Sequence, residues 1–176
     1  MLITQLSQAM PEYTICQITK ENIEDVFKLM QSNDYYYSKT QKHPVTMEEC
    51  IEDITALPPK IEMEKKTYVA FYSQNQCMAV LDFVEGYPRK EVGYIGLLML
   101  NQKAHGKGIA KHIFSKVCEV AKEVGFSKLE LACYETNQIG FAFWSKMGFK
   151  EIRRSVRKVE DEDYVLISME KSLILL

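Results

Sequence analysis

The sequence has no long apolar run, and this shortage excludes a membrane-spanning protein. No stretch approaches the roughly 18–20 consecutive apolar residues that cross a bilayer, and Met1 to Glu12 lacks the basic region and apolar segment of a secretory signal. We therefore expect a cytoplasmic protein without membrane contact. The 176 residues, of which 47% are hydrophobic and 26% charged, predict a single globular domain over residues 1–176.

Cysteine and histidine are scarce and scattered. The five cysteines are an odd number set far apart among apolar neighbours, and no CxxC pair occurs. The three histidines show no metal-ligand spacing. These shortages argue against a disulfide framework and a zinc site, so we expect reduced thiols and no bound metal.

Acidic residues are missing from one stretch. From Val92 to Cys118 there is no Asp or Glu, although 24 of the 176 residues are acidic. The same stretch contains four lysines, Lys103, Lys107, Lys111 and Lys116. A local cationic patch on a protein of net charge −2 favours a small polyanionic ligand. A nucleic-acid partner is not expected, because it usually needs a broader basic surface.

A glycine turn lies inside this cationic stretch. The apolar segment Val92–Leu100 predicts a strand, and Gly106 and Gly108 precede a long amphipathic helix. The first N–H groups of a helix have no partner within it and carry partial positive charge, so they bind anions. Glycine lets the backbone approach a pyrophosphate closely. The sequence predicts a phosphate site here, the alternative being an ordinary turn with solvated lysines.

The N-terminal part is less strongly patterned. We expect an unstructured start, a strand over Tyr13–Ile18 and a helix capped by Thr19, whose apolar face runs from Ile23 to Met30. Asp34–Pro44 has no clear period and predicts a loop. Its three adjacent tyrosines indicate either a substrate wall or aromatic packing over the core.

The middle of the chain predicts a helix and a strand meander. Thr46 and Glu49 have the spacing of a capping box, so a helix should run to about Leu57. Strands are predicted over Thr67–Ser73 and Cys77–Glu85, before the strand that leads to the glycine turn.

The helix after the glycine turn predicts a parallel strand pair. Its apolar stripe reaches Val124, and Gly125 stands where a left-handed cap belongs. The strand that follows, Lys128–Cys133, should lie parallel to Val92–Leu100, because a full helix crosses between them. The sheet is therefore expected to be mixed.

The C-terminal part predicts a short helix and a hairpin. The helix covers about Gln138–Met147, and strands over Phe149–Val156 and Tyr164–Leu173 enclose acidic Glu160–Asp163. The terminal residues Leu173–Leu176 are apolar, which fits either a homodimer contact or packing at a sheet edge.

The order of these elements, with the glycine turn after the fourth strand, resembles the GCN5-related N-acetyltransferase (GNAT) superfamily. Its phosphate signature is Arg or Gln, two residues, Gly, one residue, then Gly or Ala. The sequence from His105 to Ala110 follows it, except that His105 replaces Arg or Gln. The resemblance implies an α/β (α+β) fold, with a mostly antiparallel sheet, one parallel strand pair and about four helices.

The resemblance also implies acetyl-CoA as the cosubstrate. Backbone N–H groups beside His105 would hold the pyrophosphate, namely those of Gly106, Lys107, Gly108, Ile109, Ala110 and Lys111. Leu98, Met99 and Leu100 would form the strand edge that pairs with pantetheine.

A second family signature lies downstream, and it contains one departure. It comprises Asn137, Gly140, Trp144 and Gly148-Phe149. Asn137 is the implied amide contact to the cofactor. Trp144 stands where many members place a tyrosine that protonates the departing thiolate, and an indole N–H has no suitable pKa. Either water or another group assists the thiolate, or the site no longer performs the usual transfer.

The implied reaction is direct acetyl transfer to a primary amine of a small molecule or peptide, because no Cys–His pair indicates an acyl-enzyme. The sequence does not select the proton-transfer groups. Glu85, Glu91 and Glu135 lie near strand ends and Tyr134 stands beside the expected opening, each with a structural role as the alternative. The acidic Glu160–Asp163 turn would attract a cationic amine or simply be solvated.

Two other functions compete with a transferase. A CoA-binding module without efficient catalysis is motivated by Trp144. A dinucleotide-binding βαβ unit is weakened because Lys111 stands where the third glycine belongs and antiparallel strands precede the motif.

Overall fold

A mixed seven-stranded sheet organises residues 1–174, the part of the chain that the computed structural model describes. The strands are β1 (Thr14–Gln17), β2 (Lys66–Ser73), β3 (Gln76–Glu85), β4 (Val92–Leu100), β5 (Lys128–Tyr134), β6 (Lys150–Val159) and β7 (Glu162–Ser172). Their order is β1-β2-β3-β4-β5-β7-β6. Only β4 and β5 pair in parallel among these strands, which confirms the predicted mixed sheet.

Six α-helices flank the sheet within the described residues, two more than the roughly four expected. They are α1 (Leu2–Ala9), α2 (Ile23–Gln31), α3 (Asp34–Thr40), α4 (Met47–Asp53), α5 (Ile109–Glu123) and α6 (Gln138–Lys146). The expected unstructured start is wrong, because Leu2 and Leu6 share one face of α1 and are buried. The loop predicted over Asp34–Pro44 is wrong for its first seven residues, which form α3.

The predicted N-terminal cap is confirmed for α4 and wrong for α2. The Thr46–Glu49 capping box is present, with both reciprocal hydrogen bonds formed. Thr19 does not cap α2, because its hydroxyl accepts the Glu21 amide and the helix begins after Asn22. The α4 helix ends at Asp53, four residues before the predicted end at Leu57.

The two faces of the sheet are covered by different helices. One face packs against α1 and α5 through residues such as Phe71, Leu81 and Ile113. The other packs against α2 and α4 through residues such as Val26 and Val80. Alternating side chains of β2 and β3 therefore enter opposite cores, as the strand period requires.

No helix within residues 1–174 is long and apolar enough to cross a membrane.

The chain enters the core immediately after β7. Leu173 is buried and packs with the α1 and α5 core, whereas Ile174 is exposed. Leu175 and Leu176 lie outside the described residues. The homodimer contact suggested for the apolar end stays a prediction.

Candidate functional site

The centre of the sheet opens into a gap between β4 and β5. Val92–Ile95 of β4 pair with Lys128–Leu131 of β5. Beyond this segment the two strands separate, although β4 continues to Leu100 and β5 to Tyr134. At the point of divergence β4 bulges, because Leu97 lies opposite Asp82 and Ile95 opposite Phe83. Gly96 is the extra residue. A bulge bends its strand locally, so it accounts for the departure of β4 from β5.

Two cavities meet at this gap. The first has a volume of about 480 Å³ and lies towards the glycine turn. The second has a volume of about 600 Å³ and lies towards α3 and α4. Five residues line both cavities and define the junction, namely Tyr36, Gly96, Leu97, Ala132 and Tyr134. The two cavities therefore share part of their wall at the gap between β4 and β5.

The first cavity brings together much of the cofactor set predicted from the sequence. Its lining includes Leu98, Met99, Leu100, His105, Gly106, Asn137 and Trp144. Lys107, Gly108, Ile109, Ala110 and Lys111 continue from Gly106 into the first turn of α5, beyond the cavity wall.

The glycine turn has the geometry of an anion cradle. Gly106 and Gly108 have φ angles of 74° and 76°, and Gly108 is the N-cap of α5. A Cβ atom at either position would meet nothing within 4 Å. Open space therefore lies beside both glycines, next to the first N–H groups of α5, which the helix itself leaves unpaired. The first turn of α5 contains no acidic residue, so a pyrophosphate fits this position.

His105 connects the glycine turn to the end of β4. Its Nε2 lies 3.2 Å from the Leu100 carbonyl oxygen, which is an acceptor, so Nε2 donates. The same oxygen accepts a 2.9 Å hydrogen bond from Nδ2 of Asn33, a buried residue that also lines the first cavity. Sequence reasoning missed Asn33, because nothing in its local pattern distinguishes it from a helix-terminal residue.

Asn137 both caps α6 and faces the first cavity. Its Oδ1 accepts the Gly140 amide at 3.0 Å. Its Nδ2 donates to no atom of the described residues, so an N–H donor remains available at the cavity wall. This arrangement is compatible with the amide contact that the family resemblance implies.

Trp144 is both a core residue and a wall residue. Its ring stacks edge-on against Phe114, Phe143 and Phe149, with centroid distances of 5.5, 4.9 and 5.4 Å. It also lines the first cavity. An indole held in this way provides surface and an N–H donor, but no proton that it can release at neutral pH.

The four catalytic candidates from the sequence are not brought together. Glu91 is exposed and pairs with Arg89 at 3.3 Å, and Glu135 is exposed and pairs with Arg154 at 2.5 Å. Glu85 lies opposite Gly93, and these three glutamates line neither cavity.

Of the four candidates only Tyr134 reaches the junction. Tyr36, from the unexpected α3 helix, supplies the other junction hydroxyl. Burial raises the pKa of Tyr36, so that hydroxyl stays protonated at neutral pH.

The second cavity is strongly acidic. Four carboxylates line it, those of Glu49, Glu52, Asp53 and Asp82, against the single guanidinium of Arg157. The acidic segment predicted to attract an amine lies elsewhere. Glu160 pairs with His43 at 3.2 Å and Glu162 pairs with Lys42 at 3.1 Å, at the turn between β6 and β7. The acids of the cavity come instead from α4 and β3.

Asp82 forms a buried ion pair beside the bulge. Its Oδ2 lies 2.7 Å from Nζ of Lys66, which also donates to the Ala56 carbonyl at 2.9 Å. Its Oδ1 is buried and has no hydrogen-bond partner among the described residues. Burial raises the pKa of Asp82, while Lys66 opposes that change.

Asp53 is the least compensated of these carboxylates. Burial, followed by repulsion from Asp82, raises its pKa from 3.8 to about 6. Because the folded state binds this proton more tightly than the unfolded state, the contribution of Asp53 to the free energy of unfolding is most favourable below about pH 4. That contribution is lost as the pH rises through about 6.

We expect Asp53→Asn to stabilise the fold at about pH 8, because it removes a carboxylate that folding forces out of water. Allowing for its partial exposure, the gain should be about 1–2 kcal/mol, or about 4 °C in Tm for a chain of this size. Denaturant titration at several pH values measures it. The gain should shrink as the pH falls from about 6 towards 4; a loss of stability at pH 8 would contradict this account of Asp53.

Residues 1–174 contain no group of three or more His, Cys, Asp or Glu side chains that could hold a metal ion.

Comparisons with known proteins identify the family and the fold. The Acetyltransferase (GNAT) family profile matches residues 24–149. An acetyltransferase from Thermus thermophilus superposes with a TM-score of 0.71 at 17% identity, covering 91% of this chain and 96% of that one.

Two further solved structures share the fold. The PaiA N-acetyltransferase from Thermoplasma acidophilum in complex with coenzyme A has a TM-score of 0.62 at 16% identity, covering 91% of this chain and 98% of that one. A chimera of the spermidine N-acetyltransferase SpeG from Vibrio cholerae and hSSAT has a TM-score of 0.69 at 12% identity, covering 92% of this chain and 96% of that one.

Proposed function

Since the chain belongs to the GNAT acetyltransferase family, we propose that it transfers an acetyl group from acetyl-CoA to a primary amine of a small molecule or peptide. The observation that carries this proposal is the meeting of two cavities at the gap between β4 and β5. One cavity ends at an anion cradle and the other is acidic. A polyanionic donor and a cationic acceptor would therefore enter from opposite sides.

The first cavity is the proposed donor site. The N–H groups from Gly106 to Lys111 would hold the pyrophosphate, and the free Nδ2 of Asn137 would donate to an amide carbonyl of the pantetheine arm. Beyond Ile95, the edge of β4 that faces away from β3 pairs with no strand within residues 1–174. Its backbone groups at Leu98, Met99 and Leu100 are available to pair with the arm. Trp144 would form the apolar wall.

The chemistry would take place at the junction. The amine nitrogen attacks the carbonyl carbon of the thioester, a C–N bond forms, the C–S bond breaks, and the nitrogen loses a proton. No carboxylate lies among the five junction residues, so that proton would pass through ordered water to a carboxylate of the second cavity. The departing sulfur must gain a proton. Two junction residues, Tyr134 and Tyr36, have a hydroxyl group that could donate a proton to the sulfur. One of these hydroxyls would therefore take the role of the tyrosine that many family members have at the position of Trp144.

Direct attack is favoured over an acyl-enzyme. The cysteine that lines the first cavity is Cys133, and burial raises its pKa to about 11. Its thiol is therefore protonated at neutral pH and is a poor nucleophile. Its sulfur is also oriented towards the carbonyl oxygens of Tyr134 and Asn137, at 3.6 and 3.8 Å.

The rival function is a CoA-binding module without efficient transfer, which Trp144 motivates. A thiol-release assay with acetyl-CoA across a panel of primary amines separates the two. We expect amine-dependent release, and intact-mass measurement during turnover should show no acetylated protein. Tight CoA binding with no release for any amine would instead favour the binding module.

A further inference from the structure

We propose that the second cavity selects an acceptor with a second cationic group besides the amine that is acetylated, and that Asp53, Asp82 and Tyr68 bind this second group. The inference deepens the proposed function and rests on it for the identity of the reacting end. The ligand class is a small diamine or a related compound with two separated cations.

The charge of the cavity supplies the first argument. Two of its four carboxylates are engaged within the protein, because Glu49 accepts the Thr46 amide at 2.8 Å and one oxygen of Asp82 binds Lys66. Asp53 forms no hydrogen bond or ion pair with any described residue, although it is partly buried. A carboxylate removed from bulk water without a partner is unfavourable unless a ligand supplies the opposite charge.

Two buried polar atoms in the cavity wall supply the second argument. Tyr68 is only 3% exposed, and its hydroxyl has no hydrogen-bond partner within residues 1–174. The same holds for Oδ1 of Asp82, which lies directly opposite Tyr68 across β2 and β3. Buried polar atoms are nearly always paired in folded proteins. An ammonium group offers three donors, which is the kind of partner that both oxygens lack.

The aromatic walls supply the third argument. Five tyrosine rings line the cavity, those of Tyr36, Tyr37, Tyr68, Tyr94 and Tyr134. Aromatic faces attract ammonium groups through their quadrupole. Lys66 already exploits this attraction, because its Nζ lies 5.1 Å from the centroid of the Tyr68 ring. A neutral or anionic group in the same position would lose this attraction, and an anion would also face four carboxylates.

The reacting amine and the second cation occupy different parts of this cavity. The reacting amine of the acceptor lies at the junction, beside Gly96, Leu97 and Tyr134. Asp53 is the last residue of α4, on the helical side of the cavity, where helix carbonyls also favour a cation. A flexible chain with one amine at each end spans the two positions, whereas a monoamine leaves the second position without a partner.

The test compares three amines of equal chain length by calorimetric titration into protein saturated with CoA. Diaminobutane carries an amine at each end, aminobutanol replaces one amine with a neutral hydroxyl, and butylamine has no second polar group. We expect diaminobutane to bind roughly tenfold to hundredfold more tightly than the other two, the range of one charge-assisted hydrogen bond.

Two variants locate the second cation. Asp53→Asn should remove most of the preference for diaminobutane and leave butylamine binding nearly unchanged. Glu48→Gln is the matched control, because Glu48 lies on the same helix, is exposed and does not line the cavity, so the preference should persist. Equal binding of the three amines, absence of amine binding, or a preference that survives in Asp53→Asn would each overturn the inference.

The same amines in a thiol-release assay separate this inference from the proposed function. Selective binding of diaminobutane without thiol release would overturn the transferase proposal and support the cation site. Equal kcat/KM for butylamine and diaminobutane would overturn the cation site and support the transferase proposal.

Discussion

Replacing Gly108 with Asp is expected to weaken CoA binding on the order of 100-fold. The open space in front of this residue is where the pyrophosphate should lie, and a carboxylate there adds both bulk and like charge. The φ angle of 76° also disfavours any residue with a Cβ, which would move the first N–H groups of α5. Calorimetric titration of CoA measures the effect.

Gly125→Asp is the matched control for this prediction. Gly125 follows the other end of α5, has a φ angle of 99°, and likewise has nothing within 4 Å of a built Cβ. It should lose stability, because a carboxylate near a helix C-terminus is unfavourable, yet bind CoA like the unchanged protein. Equal CoA affinity of folded Gly108→Asp and Gly125→Asp would mean that the glycine turn does not hold the pyrophosphate.

Tyr134→Phe is expected to lower kcat on the order of 100-fold, the contribution typical of a positioned proton donor. Acetyl-CoA binding should change little, because the ring and its packing remain. The departing thiolate would then be protonated only by water or by Tyr36. Steady-state kinetics across pH measures the effect, and the loss should be smaller for an acyl donor whose leaving thiol is more acidic.

Tyr164→Phe is the control for the Tyr134 variant. The Tyr164 ring stacks edge-on against Tyr134 with a centroid distance of 5.6 Å, but its hydroxyl lies outside both cavities. Removing that hydroxyl should leave kcat unchanged. If Tyr134→Phe retains kcat while Tyr36→Phe loses it, the donor role belongs to α3; if both retain kcat, a tyrosine is not the proton donor.

The elements that form the proposed donor site could be predicted, because their determinants are local. The strand β4, the glycine turn and the helix α5 follow one another directly in the chain. The hydrophobic periodicity of the strand and helix, the glycines at the helix start and the local charge can therefore all be recognised within Val92–Glu123. The Thr46 capping box and the parallel pairing of β4 and β5 were readable for the same reason.

The second cavity, the proposed acceptor site, could not be predicted because it is assembled from distant segments. Asp53 ends α4, Tyr68 and Asp82 come from β2 and β3, and only the fold brings them to one cavity. The α3 helix was missed because its tyrosine-rich sequence lacks an apolar stripe. One signal was present, since Asp82 is a lone acid between apolar residues of β3, and a buried acid in such a strand needs a partner.

We expect an acetyl group to pass from acetyl-CoA to an amine at the junction of the two cavities. The most direct measurement follows an isotope-labelled acetyl group by mass spectrometry, in a reaction of the purified protein with acetyl-CoA and diaminobutane. We expect label on the amine in step with free CoA thiol, and none on the protein. Label that remains on acetyl-CoA, or is released only as acetate, would contradict it.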